Sequence, residues 1–149
     1  MDTRSRLAVI DDNRAWREVL AEYLEGKGFE VFPAADARHG LDLVEGKDIR
    51  LAVIDFHLGE MDGLQLLRRL QGARRPITAF LTSSDDDPTL PARALAEGAR
   101  AFLSKTTTPA TFLRMLLQGL HGAESYFPLV IRRAIWLPVL VPSRTPRRN

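Results

Sequence analysis

The chain has 149 residues, 45% of them apolar and 27% charged, which is enough for one globular domain with a substantial core. It has no cysteine, which excludes disulfide frameworks, thiolate metal sites and cysteine nucleophiles and fits a reducing compartment. The formal charge of +2 is unevenly spread: Arg132, Arg133, Arg144, Arg147 and Arg148 against Glu124 give residues 123–149 a net +4 and leave −2 on residues 1–122.

The opening MDTRSR has no apolar run behind it, so no secretory signal is visible and a cytoplasmic location is expected. Residues 7–10 are continuously apolar, the mark of a strand buried on both faces of a parallel sheet. A helix follows over about 14–25, with Trp16, Val19, Leu20, Tyr23 and Leu24 at inward spacing and Gly26 and Gly28 past its end. Residues 30–32 suit a short strand, and Pro33 at its end suggests a sheet edge. A second helix, 36–45, turns Leu41 and Val44 inward. Residues 51–54 make the third strand, Leu64, Leu67 and Leu70 mark a third helix, and residues 77–81 follow the Pro76 breaker as a fourth strand. Asp87 as N-cap and Pro88 as first helical residue predict a helix to about Glu97, closed by Gly98. Residues 101–103 are the fifth strand. Pro109 opens a last helix with Phe112, Leu113, Leu116, Leu117 and Leu120 inward.

Five βα units in strict alternation require right-handed crossovers and a parallel sheet covered on both faces. Such a doubly wound α/β sheet binds ligands at the carboxyl ends of its strands, where the strand order reverses. In the five-stranded, flavodoxin-like order 2-1-3-4-5, that point lies between strands one and three. These two strands carry the same letters, LAVID at 7–11 and LAVID at 51–55. The residues after them differ, DNRAW against FHLGEMDG, so they are two similar strands and no duplicated module.

Neighbouring strands lie about 5 Å apart, so Asp11, Asp12 and Asp55 should converge at one sheet edge. Two unit charges about 4 Å apart repel by roughly 4 kcal/mol at an effective dielectric near 20. A positive partner is therefore expected. Lys105, just past strand five, is one. Mg²⁺ is another, because a hard cation suits carboxylates without cysteine or clustered histidine. Thr82 and Ser83 end strand four at this edge and add hydroxyl and backbone donors. The set describes a phosphoryl-transfer site with Asp55 as nucleophile and Mg²⁺ and Lys105 neutralising phosphoryl oxygens.

Four segments over about residues 7–122 together resemble the receiver domain of two-component response regulators. They are VIDD, VIDFHLGEMDG, FLTSSDDD and GARAFLSK, in this order and at this spacing. The resemblance implies that Asp55 accepts a phosphoryl group from a histidine kinase or phosphotransfer protein. It implies that Asp12, Asp55 and the backbone carbonyl of His57 hold Mg²⁺, with Asp11 helping mainly through water. Lys105 would pair with the acceptor or its phosphoryl oxygen. Thr82 would swing to the phosphoryl group while Phe102 rotates inward, remodelling the face of helix four, strand five and helix five, a surface for a partner or a second copy. His57 and Ser84 would set the lifetime of the acyl phosphate. By that resemblance the chain is a signalling domain that catalyses its own phosphotransfer and dephosphorylation, and not an enzyme acting on an outside substrate.

Two positions depart from the family's pattern. Gly59 stands where proline usually follows the acceptor by four residues, which frees the loop for unusual backbone angles. Thr106 stands where a proline usually follows the lysine through a cis bond; a cis non-proline bond costs about 3 kcal/mol, so Lys105–Thr106 is expected trans.

The remaining groups have simpler readings. Asp85, Asp86 and Asp87 make a solvated loop and helix cap, His39 and His121 are surface residues, and Trp16 and Trp136 are packing. Residues 126–141 are apolar but interrupted by Arg132 and Arg133 and broken by Pro128 and Pro138, a poor membrane span. LuxR-type regulators carry a linker and helix-turn-helix at about this point. No such pair fits in residues 123–149, so an output domain and nucleic-acid binding are not expected. This tail should pack on its own receiver or on a second copy as a homodimer. Two alternatives remain. A pseudo-receiver acting as a phosphorylation-independent binding module usually loses an acidic residue or the lysine, and all are present here. A phosphatase of the haloacid dehalogenase type expects aspartate two residues after the nucleophile, where this chain has His57.

Overall fold

Leu and Val of each LAVID segment alternate with Ala and Ile, and that alternation sends two sets of side chains to opposite faces of the sheet. The computed structural model describes residues 6–72 and 77–120. Ten elements alternate along them: β1 (Arg6–Ile10), α1 (Arg14–Glu25), β2 (Glu30–Ala34), α2 (Ala37–Gly46), β3 (Leu51–Asp55), α3 (Gly63–Gln71), β4 (Thr78–Ser83), α4 (Leu90–Ala96), β5 (Ala101–Ser104) and α5 (Pro109–Gly119). The five strands are parallel in the order β2-β1-β3-β4-β5. This is the doubly wound α/β sheet expected from the alternation.

On one face Leu7, Val9, Leu51, Val53 and Phe80 meet Leu20 and Leu24 of α1 and Phe112 and Leu116 of α5. On the other, Ala8, Ile10, Ala52, Ile54 and Leu81 meet Val44 of α2, Leu64, Leu67 and Leu70 of α3 and Ala94 of α4. Burying each large aliphatic side chain is worth about 1.5–3 kcal/mol, so the two faces clamp the central strands firmly. Gly40 sets how closely α2 approaches: a Cβ there would stand 2.5 Å from Ile10 Cδ1.

Beyond one-residue shifts at element ends, four boundaries or faces differ from the sequence reading. β4 runs on through Thr82 and Ser83, because Thr82 pairs with Asp55 of β3 and Ser83 with Ser104 of β5. β2 continues through Pro33 to Ala34; as the sheet's edge strand it can spare the amide that proline lacks. α4 starts at Leu90 instead of Pro88. A helix capped by Asp87 would take its first bond from the amide of residue 91, and residue 91 is proline. Asp87 still accepts from the Thr89 amide and hydroxyl, both at 2.8 Å, but it closes a turn before the helix. Val19 of α1 is 51% exposed, because α1 buries the narrower stripe of Leu20 and Leu24.

Among the described residues no helix is long and apolar enough to cross a membrane. His121 and the expectations for residues 123–149, including the packing of Trp136, lie outside the described residues.

Candidate functional site

The two LAVID segments pair residue for residue, from Leu7 with Leu51 to Ile10 with Ile54. The next residues, Asp11 and Asp55, therefore emerge together, with Asp12 beside them. Carboxylate oxygens of all three lie within 4.8 Å of one another. β5 delivers the counter-charge: the Lys105 amide donates to the Ser83 carbonyl at 3.0 Å. Lys105 Nζ reaches Asp11 Oδ2 at 2.7 Å and Asp55 Oδ2 at 3.3 Å, with the three side chains only 9%, 3% and 4% exposed.

One lysine does not neutralise this cluster. The Asp55 carboxyl is pushed up from 3.8 to about 6, first by burial, then by the negative charge of Asp11, and further by a hydrogen bond with the Asp12 side chain. Lys105 and the His57 backbone amide act in the opposite direction. With the charge of Asp11 beside it and the Asp12 carboxyl close by, Asp55 sits in a pocket that favours added positive charge. The donors are hard carboxylate oxygens, with no sulfur or imidazole in the cluster, which fits Mg²⁺ better than softer ions.

Local hydrogen bonds hold these groups in place. Asp11 Oδ1 accepts from the Asn13 amide at 2.8 Å, and Asn13 Oδ1 in turn caps α1 by accepting from the Trp16 amide at 3.0 Å. The Asp11 carbonyl accepts from Arg17 Nη1 at 2.7 Å. After β3, the Phe56 amide donates to the Thr82 carbonyl at 2.8 Å and the Gly63 amide to the Phe56 carbonyl at 2.7 Å. Asp62 and Gln65 form a capping box at the start of α3. Gly63 has no substitute: a Cβ there would lie 2.3 Å from the Asp55 carbonyl oxygen. Gly59 takes φ +79°, the left-handed angle its freedom suggested, and Lys105–Thr106 is trans, as are all described peptide bonds.

The other expected residues fall at this edge at differing depths. Thr82 is fully buried, its hydroxyl directed to the Ile54 carbonyl at 3.4 Å. Ser83 is buried as well, and its Oγ accepts from the Asp85 amide at 2.9 Å. Ser84 and His57 are exposed on the two flanking loops, and His57 Nε2 lies 3.5 Å from Asp85 Oδ2. Asp85 is an exposed loop residue, as expected, and lies across from His57. Phe102 is half-buried against the α2–α3–α4 core. Arg17, Gly63 and the place of Trp16 beside Lys105 escaped the sequence reading. The signal for Trp16 and Arg17 was their position one turn into a helix that comes directly after a strand-end carboxylate.

Residues 7–117 match the family model described as the response regulator receiver domain. The chain belongs to that family. As a receiver it is 30% identical over 124 residues to the transcriptional regulatory protein FixJ of Bradyrhizobium diazoefficiens, covering 83% of this chain and 60% of FixJ. It is 29% identical over 124 residues to the peroxide stress-activated histidine kinase mak3 of Schizosaccharomyces pombe, covering 78% of this chain and 5% of that protein. Among solved structures, the CheY-like receiver protein of Methanospirillum hungatei superposes with a TM-score of 0.75 at 27% identity, covering 83% of this chain and 98% of that one. The signal receiver domain of NarL from Mycobacterium tuberculosis superposes with a TM-score of 0.71 at 28% identity, covering 80% and 98%. This chain thus spans about 60% of the length of FixJ and nearly all of an isolated receiver. It is a receiver domain of the two-component kind, and phosphorylation-based signalling is the general role of such domains.

Proposed function

We propose that this receiver is a phospho-accepting switch in which Asp55 takes a phosphoryl group from a histidine kinase or a phosphotransfer protein. The observation that carries the reading is the meeting of Asp11, Asp12, Asp55 and Lys105 at the carboxyl edge of β1, β3 and β5. An Asp55 carboxylate oxygen attacks phosphorus, the bond from phosphorus to the donor imidazole nitrogen breaks, and that nitrogen keeps the electron pair and takes a proton. Hydrolysis reverses the gain: water attacks phosphorus, the bond to Asp55 breaks, and phosphate leaves. In this sense the domain catalyses its own phosphotransfer and dephosphorylation.

Asp12, Asp55 and the His57 carbonyl would hold Mg²⁺, with Asp11 acting mainly through water; when bound, the ion neutralises carboxylate and phosphoryl oxygens. Lys105 keeps an ammonium within reach of the acceptor. Thr82, already opposite Asp55 in the β3–β4 register, turns its hydroxyl from the Ile54 carbonyl to the phosphoryl group. Ser83 contributes from the next position. Phe102 then moves further into the core it already touches, and α4, β5 and α5 present a changed face to a partner or a second copy. His57 and Ser84, exposed on both sides of the acceptor, set the lifetime of the acyl phosphate.

Residues 1–122 form the receiver in this reading and residues 123–149 a basic, apolar tail that can add to a homodimer contact. In this reading the protein works in the cytoplasm, and none of the described elements serves as a nucleic-acid reader. The test is labelling with acetyl phosphate or beryllofluoride in Mg²⁺, read by intact mass and oligomer size. Wild type should gain one adduct and Asp55→Asn none; no adduct on wild type would point to a phosphorylation-independent binding module. Alanine at His57 and at Ser84 should change phosphate loss, and unchanged decay in both variants would remove them from that role.

A further inference from the structure

Trp16 looks at first like packing. Its ring meets the fully buried Phe112 of α5 edge to face, with centroids 5.5 Å apart and planes at 79°. Two observations do not fit packing alone. Among the described residues Trp16 Nε1 is a buried donor without a hydrogen-bond acceptor. An aliphatic side chain would fill the same space without stranding that group. The other is Lys105 Nζ, which stands 5.8 Å from the Trp16 ring centroid, within the range where an ammonium is attracted by an aromatic face.

The contacts close a circuit. Lys105 Nζ binds Asp11 at 2.7 Å, the other oxygen of Asp11 accepts from the Asn13 amide, Asn13 caps the Trp16 amide, and the Trp16 ring lies by Lys105 Nζ. β1, the first turn of α1 and the end of β5 are thereby tied together around one ammonium. An aromatic face suits this place for an electrostatic reason. A further carboxylate would hold the lysine but would raise the repulsion that already pushes Asp55 toward its protonated form. The ring attracts the cation with no net charge of its own.

Building on the phospho-acceptor reading, we propose that Trp16 is a positioning residue for Lys105, its ring and the Asp11 carboxylate together holding the ammonium beside Asp55. The attraction is graded by the electron density of the ring, and a packing role is not. Labelling of Asp55 by acetyl phosphate in Mg²⁺ should slow by about threefold to tenfold in Trp16→Leu and recover most of the loss in Trp16→Phe. Since the chain has two tryptophans, stepwise fluorination of Trp16 in a Trp136→Phe background changes the ring's field with little change of shape, and it remains available if the leucine variant does not fold. The labelling rate should fall with each fluorine. The Lys105 ε-methylene protons should carry a ring-current shift that Trp16→Leu removes. Wild-type labelling that is matched by Trp16→Leu and by the fluorinated proteins overturns the role of Trp16 alone. No adduct on wild type overturns the phospho-acceptor reading and this role with it. Lys105 proton shifts indifferent to the loss of the ring overturn the contact itself.

Discussion

Replacing Asp55 with asparagine should make this receiver more stable near neutral pH in metal-free buffer and leave its stability unchanged in acid. The Asp55 carboxyl is pushed up from 3.8 to about 6, with burial the largest cause and the charge of Asp11 the next. Between those two values the folded protein keeps a proton that the unfolded chain has lost, so stability falls as pH rises through this window and stays low above it. At 1.36 kcal/mol per unit, the shift corresponds to about 3 kcal/mol lost at pH 7 relative to acid. The attraction of Lys105 at 3.3 Å is already inside that shift, and in the variant Lys105 keeps Asp11 at 2.7 Å. Asparagine cannot ionise and matches the protonated acid in shape, so it should recover up to about 3 kcal/mol near pH 7.5 and almost nothing near pH 4. In a domain of this size that is a rise in midpoint of roughly 10 °C. Urea unfolding followed by circular dichroism, in EDTA at both pH values, measures it. An asparagine variant no more stable than wild type near neutrality, or equally stabilised in acid, would show that Asp55 is not held against its charge.

Mg²⁺ should bind more weakly as the pH drops through about 6, since a proton taken up by Asp55 must leave before its carboxylate can hold a cation; calorimetric titration with affinity constant from about pH 5 to 7.5 would contradict this. Gly63→Ala should cost about 3 kcal/mol or more and impair labelling of Asp55, because its Cβ would lie 2.3 Å from the Asp55 carbonyl oxygen, in backbone that cannot rotate away. Gly46→Ala, in α2 with nothing within 4 Å of the added carbon, should instead stabilise by about 0.5–1 kcal/mol, and equal effects of the two alanines in urea unfolding would refute the close-approach argument.

The fold was readable because a parallel sheet demands continuous apolar runs, and LAVID supplies two of them. The carboxylate that ends each run made the site readable too: residue-for-residue pairing leaves Asp11 and Asp55 side by side, so the same letters that build the sheet also place the charges. Lys105 was legible for the same reason, standing just past another strand end. The features that escaped depend on the third dimension. The start of α4 turns on which amide Pro91 lacks, and β4's last two residues on partners from both neighbouring strands. Val19 fits the helical period but lies outside the stripe that the sheet covers.

Trp16 shows the sharpest limit of a one-dimensional reading. Its spacing with Leu20 and Tyr23 marks the inward face of α1, and nothing nearby in sequence foretells a lysine 89 positions away. The core pattern and the electrostatic pattern overlap at this residue, since the face of α1 that packs on Phe112 is also the face nearest the carboxyl ends of β1 and β5. The overlap has a physical basis. A sheet edge that gathers three carboxylates stores repulsion, and the helix directly after the first of them is the nearest rigid body able to hold the compensating cation. Local rules that favour stability are broken at Asp55, where a buried acid sits beside another, and the neighbouring contacts from Asn13, Arg17 and Lys105 keep the strained arrangement ordered. A cation placed beside Asp55 would therefore act against repulsion that the fold already stores, whereas a phosphoryl group would add negative charge and would need Lys105 and the cation to neutralise it.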